Sequence, residues 1–111
     1  MSSPVALTAI ITLNPGAEQK FIELFNKCAE YSKENEPFVW TYELSRGRVD
    51  QKGEVTDLVI REVYENQALM EKHLAGAPVQ ELIKGIGEGL VKESKIIYTD
   101  YKPAVGFPSR L

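Results

Sequence analysis

His73 is the one histidine of the chain. Histidine is the side chain whose ordinary pKa lies near neutrality, so this is where a proton could be taken up or released without further tuning. Its chemical reading is a proton acceptor or a hydrogen-bond partner for a substrate. Its structural reading is a helix residue bonded to a carboxylate such as Glu62 and serving packing, and the sequence leaves both open. Trp40 and Tyr42 stand two apart, and strand alternation puts them on one face, as an aromatic wall for a flat molecule or as ordinary core. Tyr64 can donate a hydrogen bond to a substrate or close off the core. Arg61 lies in a run of apolar neighbours, where a guanidinium needs a partner: Glu62, Glu43 across a strand, a second copy of the chain, or an anionic ligand. Phe21, Phe25 and Met70 suit a pocket lining or the core. Cys28 falls on an apolar helical stripe and reads as a buried, inert thiol.

Other chemistries lack their parts. One His and one Cys make no zinc site, so no metal is expected, and no Ser-His-Asp set can be argued from spacing. Gly85-Ile86-Gly87-Glu88-Gly89 does not follow a strand and is no phosphate cradle. A net charge of -3 fits neither nucleic acid nor an anionic membrane surface. No apolar run reaches the length of a membrane span, the N-terminal residues lack the pattern of a secretory signal, and a lone cysteine suits a reducing compartment.

The elements that must position these residues follow from periodicity. At 111 residues the chain is expected to be a single domain, 1–111, with a core over about 5–101 and an extended tail over 102–111. Val5 to Asn14 reads as a strand, and Asn14-Pro15-Gly16 as a turn. Phe21, Leu24, Phe25, Cys28, Tyr31 and Ser32 then recur on one helical face until Glu36-Pro37 stops the helix. Phe38 to Leu44 is a second strand, Arg46 to Thr56 a polar hairpin loop, and Asp57 to Glu65 a third strand. Both faces of strands two and three are largely apolar, so helices would cover one face and a second copy of the chain the other. Asn66 opens a short helix, Gly76-Ala77-Pro78 interrupts it, and Val79, Leu82, Ile83, Ile86 and Leu90 mark a second stretch weakened by its glycines. Ser94 to Tyr101 is the last strand. The order β-α-β-β-α-β predicts an α+β, ferredoxin-like domain, a four-stranded antiparallel sheet with helices on one face.

Three stretches in this order resemble the antibiotic biosynthesis monooxygenase domain family of dimeric α/β-barrel proteins. They are Leu13-Asn14-Pro15-Gly16 with Phe21-Ile22-Glu23-Leu24; Glu36-Pro37 with Tyr42 on the next strand; and Glu62-Val63-Tyr64 through Ala68 to His73. The chain departs from the pattern at Phe38, where the family usually has glycine. The resemblance spans residues 5 to 101. It implies a homodimer, a pocket between sheet and helices, and a small hydrophobic or aromatic metabolite as ligand. It also implies chemistry without metal, flavin or other cofactor on a phenolic, quinol-like or polyketide-like substrate. The haem-degrading branch is disfavoured, because its ligand histidine matches Ile83 here and its first-strand asparagine matches about Ala9.

The resulting expectation is a cofactor-independent monooxygenase. His73 and Tyr64 would be catalytic, and Trp40, Tyr42, Arg61, Phe21, Phe25 and Met70 would bind substrate. Two other readings stay open: an isomerase, cyclase or decarboxylase on the same scaffold, and a non-catalytic dimeric binding protein. Ser109-Arg110-Leu111 resembles a peroxisomal targeting tripeptide, which gives a peroxisomal location in a eukaryote and a cytoplasmic one otherwise.

Overall fold

A computed structural model describes residues 3–48 and 57–110. Strand β1 (Val5–Leu13) leads through a turn to helix α1 (Glu18–Asn35), strands β2 (Val39–Arg46) and β3 (Asp57–Tyr64), helices α2 (Gln67–Leu74) and α3 (Ala77–Gly85), a π-helical turn (Ile86–Leu90) and strand β4 (Val91–Thr99). The four strands form one antiparallel sheet in the order β2-β3-β1-β4, the ferredoxin-like arrangement the sequence predicts. Residues 49–56 of the expected hairpin loop, and Leu111 of the terminal tripeptide, lie outside the described residues.

Strand alternation divides the sheet into two faces. Leu7, Ala9, Ile11 and Leu13 of β1 and Leu58, Ile60 and Tyr64 of β3 meet Phe21, Leu24, Phe25 and Cys28 of α1 and Met70, Val79 and Leu82 of α2 and α3. This is the core, and its helical members are the residues that the 3.6-residue period singles out. The Asn66 side chain accepts from the Leu69 N–H at 2.9 Å and caps α2, which is why the chain can turn directly from β3 into a helix. The break between α2 and α3 falls at Ala75 and Gly76, and Pro78 sits in the first turn of α3, where its missing N–H costs nothing. At the other end, the Asn14 side chain donates to the Gly89 carbonyl at 2.7 Å and ties the π-helical turn to the end of β1.

Strand β2 corrects one expectation. Val39 pairs with Tyr64 but Thr41 pairs with Val63, so Trp40 is an extra residue in a bulge. The bulge breaks the two-residue alternation. Trp40 and Tyr42 do not share a face: Tyr42 joins the core side, while Trp40 is 46% exposed and packs edge-on against Tyr101 at a centroid distance of 5.5 Å. Since β2 and β4 are opposite edges of the sheet, this contact shows that the tail after β4 turns across the sheet face away from the helices.

Candidate functional site

The helix-covered face carries a polar cluster in an apolar setting. His73, in the last turn of α2, is 2% exposed. Its Nδ1 lies 2.8 Å from Oε1 of Glu36, the residue that ends α1. The Ser32 hydroxyl, one turn earlier on α1, donates to the same oxygen at 2.7 Å and lies 3.3 Å from Nδ1. All three side chains are buried. An ionised carboxylate only accepts, so it selects the tautomer with the proton on Nδ1 and leaves Nε2 with a free lone pair. Nε2 is buried and has no hydrogen-bond partner among the described residues. A buried polar atom without a protein partner is uncommon and costly, which makes this nitrogen a candidate for a functional role.

Aromatic rings enclose the imidazole. Tyr42 meets it edge-on at 5.0 Å and Tyr64 lies tilted at 5.3 Å. Phe25 of α1 stacks on the far side of Tyr42, with centroids 4.6 Å apart. Phe21 and Met70 are buried in the same apolar layer. Between α1 and β2 a groove of about 390 Å³ opens to the surface, with Ile22, Phe25, Tyr42 and Leu44 in its walls. Tyr42 therefore touches both the groove and the histidine.

A second carboxyl shares this face. Glu62 stands opposite Tyr42 in the β2–β3 register, and its Oε1 accepts a hydrogen bond from the Tyr64 hydroxyl at 2.5 Å. Burial raises the Glu62 pKa above the ordinary carboxylate value, while the Tyr64 hydrogen bond and the nearby His73 act in the opposite direction. Burial, and then the Glu62 charge, push the Tyr42 and Tyr64 hydroxyls well above the ordinary phenol range. Both tyrosines therefore remain protonated donors near neutral pH, and neither can act as a base there.

Of the residues expected to form one site, the structure brings together His73, Tyr64, Tyr42, Phe25, Phe21 and Met70. It places Trp40 and Arg61 elsewhere. Arg61 pairs with Thr8 across the sheet on the opposite face, where its Nη1 donates to the Thr8 and Thr99 hydroxyls at 3.3 and 3.4 Å. Neither Glu62 nor Glu43 forms an ion pair with it among the described residues. The carboxylate that holds His73 is Glu36 rather than Glu62. The sequence does carry a sign of the cluster: Ser32 falls on the apolar stripe of α1, where a hydroxyl has no obvious place, and Glu36 stands directly before a helix-ending proline.

Among the described residues no group of three His, Cys, Asp or Glu side chains converges to hold a metal ion, and no helix is long and apolar enough to cross a membrane.

No curated protein matches the chain. Among solved structures, a Caulobacter crescentus protein provisionally named an antibiotic biosynthesis monooxygenase superposes with a TM-score of 0.77 at 20% identity, covering 92% of each chain. A Bacteroides thetaiotaomicron protein named in the same provisional way gives 0.78 at 18%, over 96% of this chain and 97% of that one. Rv0793 from Mycobacterium tuberculosis gives 0.75 at 19%, over 93% and 100%. At such identities these likenesses establish the fold. The family model of the antibiotic biosynthesis monooxygenases matches residues 4–85, from the start of β1 to the end of α3, and takes in Glu36, Tyr42, Glu62, Tyr64 and His73. The chain belongs to the antibiotic biosynthesis monooxygenase family.

Proposed function

We propose that the protein is a cofactor-independent monooxygenase acting on a small phenolic, quinol-like or polyketide-like molecule, with His73 as the proton acceptor. The observation that carries this reading is the buried, unpartnered Nε2 of a histidine whose other nitrogen is held by Glu36. Such an imidazole is a fixed base in a dry, aromatic surrounding, which suits removal of a proton from an acidic C–H or O–H group.

The family supports an oxygenase in general terms. In the reaction proposed, Nε2 takes a proton from the substrate and leaves an electron-rich anion. That anion transfers one electron to dioxygen, and the resulting radical pair joins as a peroxide. For a methylene flanked by aromatic rings, loss of water from the peroxide leaves a carbonyl. One oxygen atom stays in the product, the other leaves as water, and the substrate supplies all the electrons. The Glu36 carboxylate stabilises the imidazolium formed in the first step. The Tyr64 and Tyr42 hydroxyls, which stay protonated, serve as donors to a developing oxyanion, and Phe25, Phe21 and Met70 give the substrate an apolar bed. The groove between α1 and β2 is the entrance in this reading.

The unit that works is proposed to be a homodimer. Ile10, Val59 and Ile97 are exposed on the sheet face that the helices leave open, and a second copy would cover them. Sedimentation of the purified protein at twice the chain mass is the expected result.

Oxygen uptake against a panel of quinols and anthrones tests the activity. Wild type should consume oxygen with at least one of them, and His73→Gln should lose about 10²-fold or more. Uptake that survives the loss of His73 in a folded variant would remove the base from this mechanism. Conversion of a substrate without oxygen uptake, still dependent on His73, would move the assignment to an isomerase, which needs the same base.

A further inference from the structure

We propose that Glu62 works as a neutral acid beside the base: it is protonated whenever the site holds the anion that His73 creates, and this frees the Tyr64 hydroxyl to donate to that anion. The inference rests on the reading of His73 as a base, and it assigns a charge state to a carboxyl which that reading leaves unused.

The helix-covered face holds two unlike carboxyls. Glu36 has an imidazole at 2.8 Å and a serine hydroxyl at 2.7 Å as partners. Glu62 has the Tyr64 hydroxyl at 2.5 Å and no ion pair among the described residues. It stands between Tyr42 of β2 and Leu7 of β1 in the sheet register, so it lies beside the tyrosine that touches both the groove and the imidazole. Glu62 and Tyr42 are partly exposed, whereas Tyr64 and His73 are buried, so a ligand moving from the groove towards Nε2 meets Tyr42 and Glu62 first. The titratable groups around Glu62 are Cys28 on α1, Glu36 at its end, Tyr42 on β2, Tyr64 on β3 and His73 on α2.

Once Nε2 holds the proton of the substrate, the imidazolium and the Glu36 carboxylate balance, and the substrate anion is left uncompensated. An ionised Glu62 would place a second negative charge beside it in apolar surroundings, where like charges repel strongly. It would also keep the Tyr64 O–H for itself, as in the ligand-free protein. A protonated Glu62 removes both obstacles. Its own O–H turns to the Tyr64 oxygen, and the phenol O–H turns to the anion. Burial, which raises the Glu62 pKa, favours this form before any ligand arrives.

The probe is 3,4-dinitrophenol, an acidic phenol that is an anion at neutral pH, with its methyl ether as the neutral counterpart. Binding is followed without oxygen, by calorimetry in buffers of different ionisation enthalpy and by difference infrared spectroscopy. The anion should bind with proton uptake that rises with pH towards about one per site, and its affinity should then fall by up to about tenfold per pH unit. The carbonyl band of a protonated carboxylic acid, which an imidazole cannot give, should grow on binding. The ether should show neither effect. Glu62→Gln should bind the anion with no such band and without the pH dependence, and His73→Gln should keep both. Because no turnover is involved, proton uptake at Glu62 without oxygen consumption by any quinol would sink the oxygenase reading alone. No saturable binding of the anion at millimolar concentration, or binding by wild type without proton uptake or carbonyl band at any pH, would overturn the proposal. So would a band that persists in Glu62→Gln, which would place the proton on Glu36.

Discussion

His73 and Glu36 meet across the junction of two helices: the imidazole Nδ1 on α2 lies 2.8 Å from the carboxylate at the end of α1, both buried. The contact fixes the tautomer that exposes Nε2 as a base, so it joins folding to function. Glu36→Gln keeps the size of the side chain and removes its charge. It should cost about 1–3 kcal/mol of stability in urea unfolding, and it should lower oxygen uptake by about 10²-fold, because the amide no longer stabilises an imidazolium. Full activity in the folded variant would show that the carboxylate only supports packing.

Ser32→Ala tests the same cluster from its other side. The Ser32 hydroxyl donates to the Glu36 oxygen that also faces His73. Its loss removes one buried hydrogen bond but leaves the carboxylate its histidine partner, so stability should fall by only about 1 kcal/mol. Activity should fall much less than in Glu36→Gln. An equal loss in both variants, measured under identical conditions, would mean that Ser32 takes part in the chemistry directly.

Glu62 makes stability depend on pH. Its pKa in the folded protein is raised, chiefly by burial, above the unfolded value near 4.5. The folded state therefore favours the protonated form. The associated stability is complete below the unfolded pKa and is lost as pH rises through the folded one, with a slope of up to about 1.4 kcal/mol per pH unit between them. Glu62→Gln removes this titration. The difference in stability between variant and wild type should shift in favour of the variant as pH rises from 4.5, and thermal melts of both proteins across that window give the measurement. A difference that does not change with pH would contradict the raised pKa.

The fold was legible because its signals are local. The stripe from Phe21 to Cys28, the cap at Asn66 and the break at Gly76 each act within a few residues, and the structure keeps them. The candidate site was legible in its members but not in its partners. Glu36 follows α1 and His73 belongs to α2, and only the packing of those helices on one sheet brings them together. No period in the chain encodes that contact. Trp40 was misplaced for a different reason: one bulged residue shifts the phase of β2, and alternation counted from Phe38 then assigns the wrong face. Arg61 sits on the other face: adjacent strand residues point to opposite faces, so Glu62 cannot supply its partner, and the Thr8 and Thr99 hydroxyls accept from it instead.

The glycines of Gly85-Ile86-Gly87-Glu88-Gly89 are not equivalent, although the sequence reads them together as a weak helix. A Cβ on Gly85 would lie 2.8 Å from Leu24 Cδ1 and 3.0 Å from Leu90 Cδ1, so this glycine lets α3 approach α1 closely. A Cβ on Gly87 would meet nothing within 4 Å, and its φ is not in the left-handed region. Gly85→Ala should therefore destabilise by about 1 kcal/mol, the overpacking outweighing the gain in helix propensity. Gly87→Ala should stabilise by about 0.5 kcal/mol through a less flexible unfolded chain. The two variants compared in one urea series give the sign directly, and a stabilising Gly85→Ala would show that Leu24 and Leu90 move aside freely.

Cys28 offers a test of how tightly this layer is closed. It is the one cysteine of the chain, it is fully buried on α1, and burial raises its thiol pKa although the neighbouring Tyr42 hydroxyl acts in the opposite direction. A thiol-specific reagent needs both access and the thiolate, and the native fold withholds both. In native buffer, labelling should be slower than that of the unfolded chain by about 10³-fold or more, with its rate set by opening of the structure. Tyr42→Phe leaves the thiol buried and removes the one neighbour that favours the thiolate, so labelling should not accelerate. Rapid labelling of the native wild type would mean that the aromatic layer around Tyr42 and His73 opens readily, and the dry surroundings required for the proposed base would then be absent.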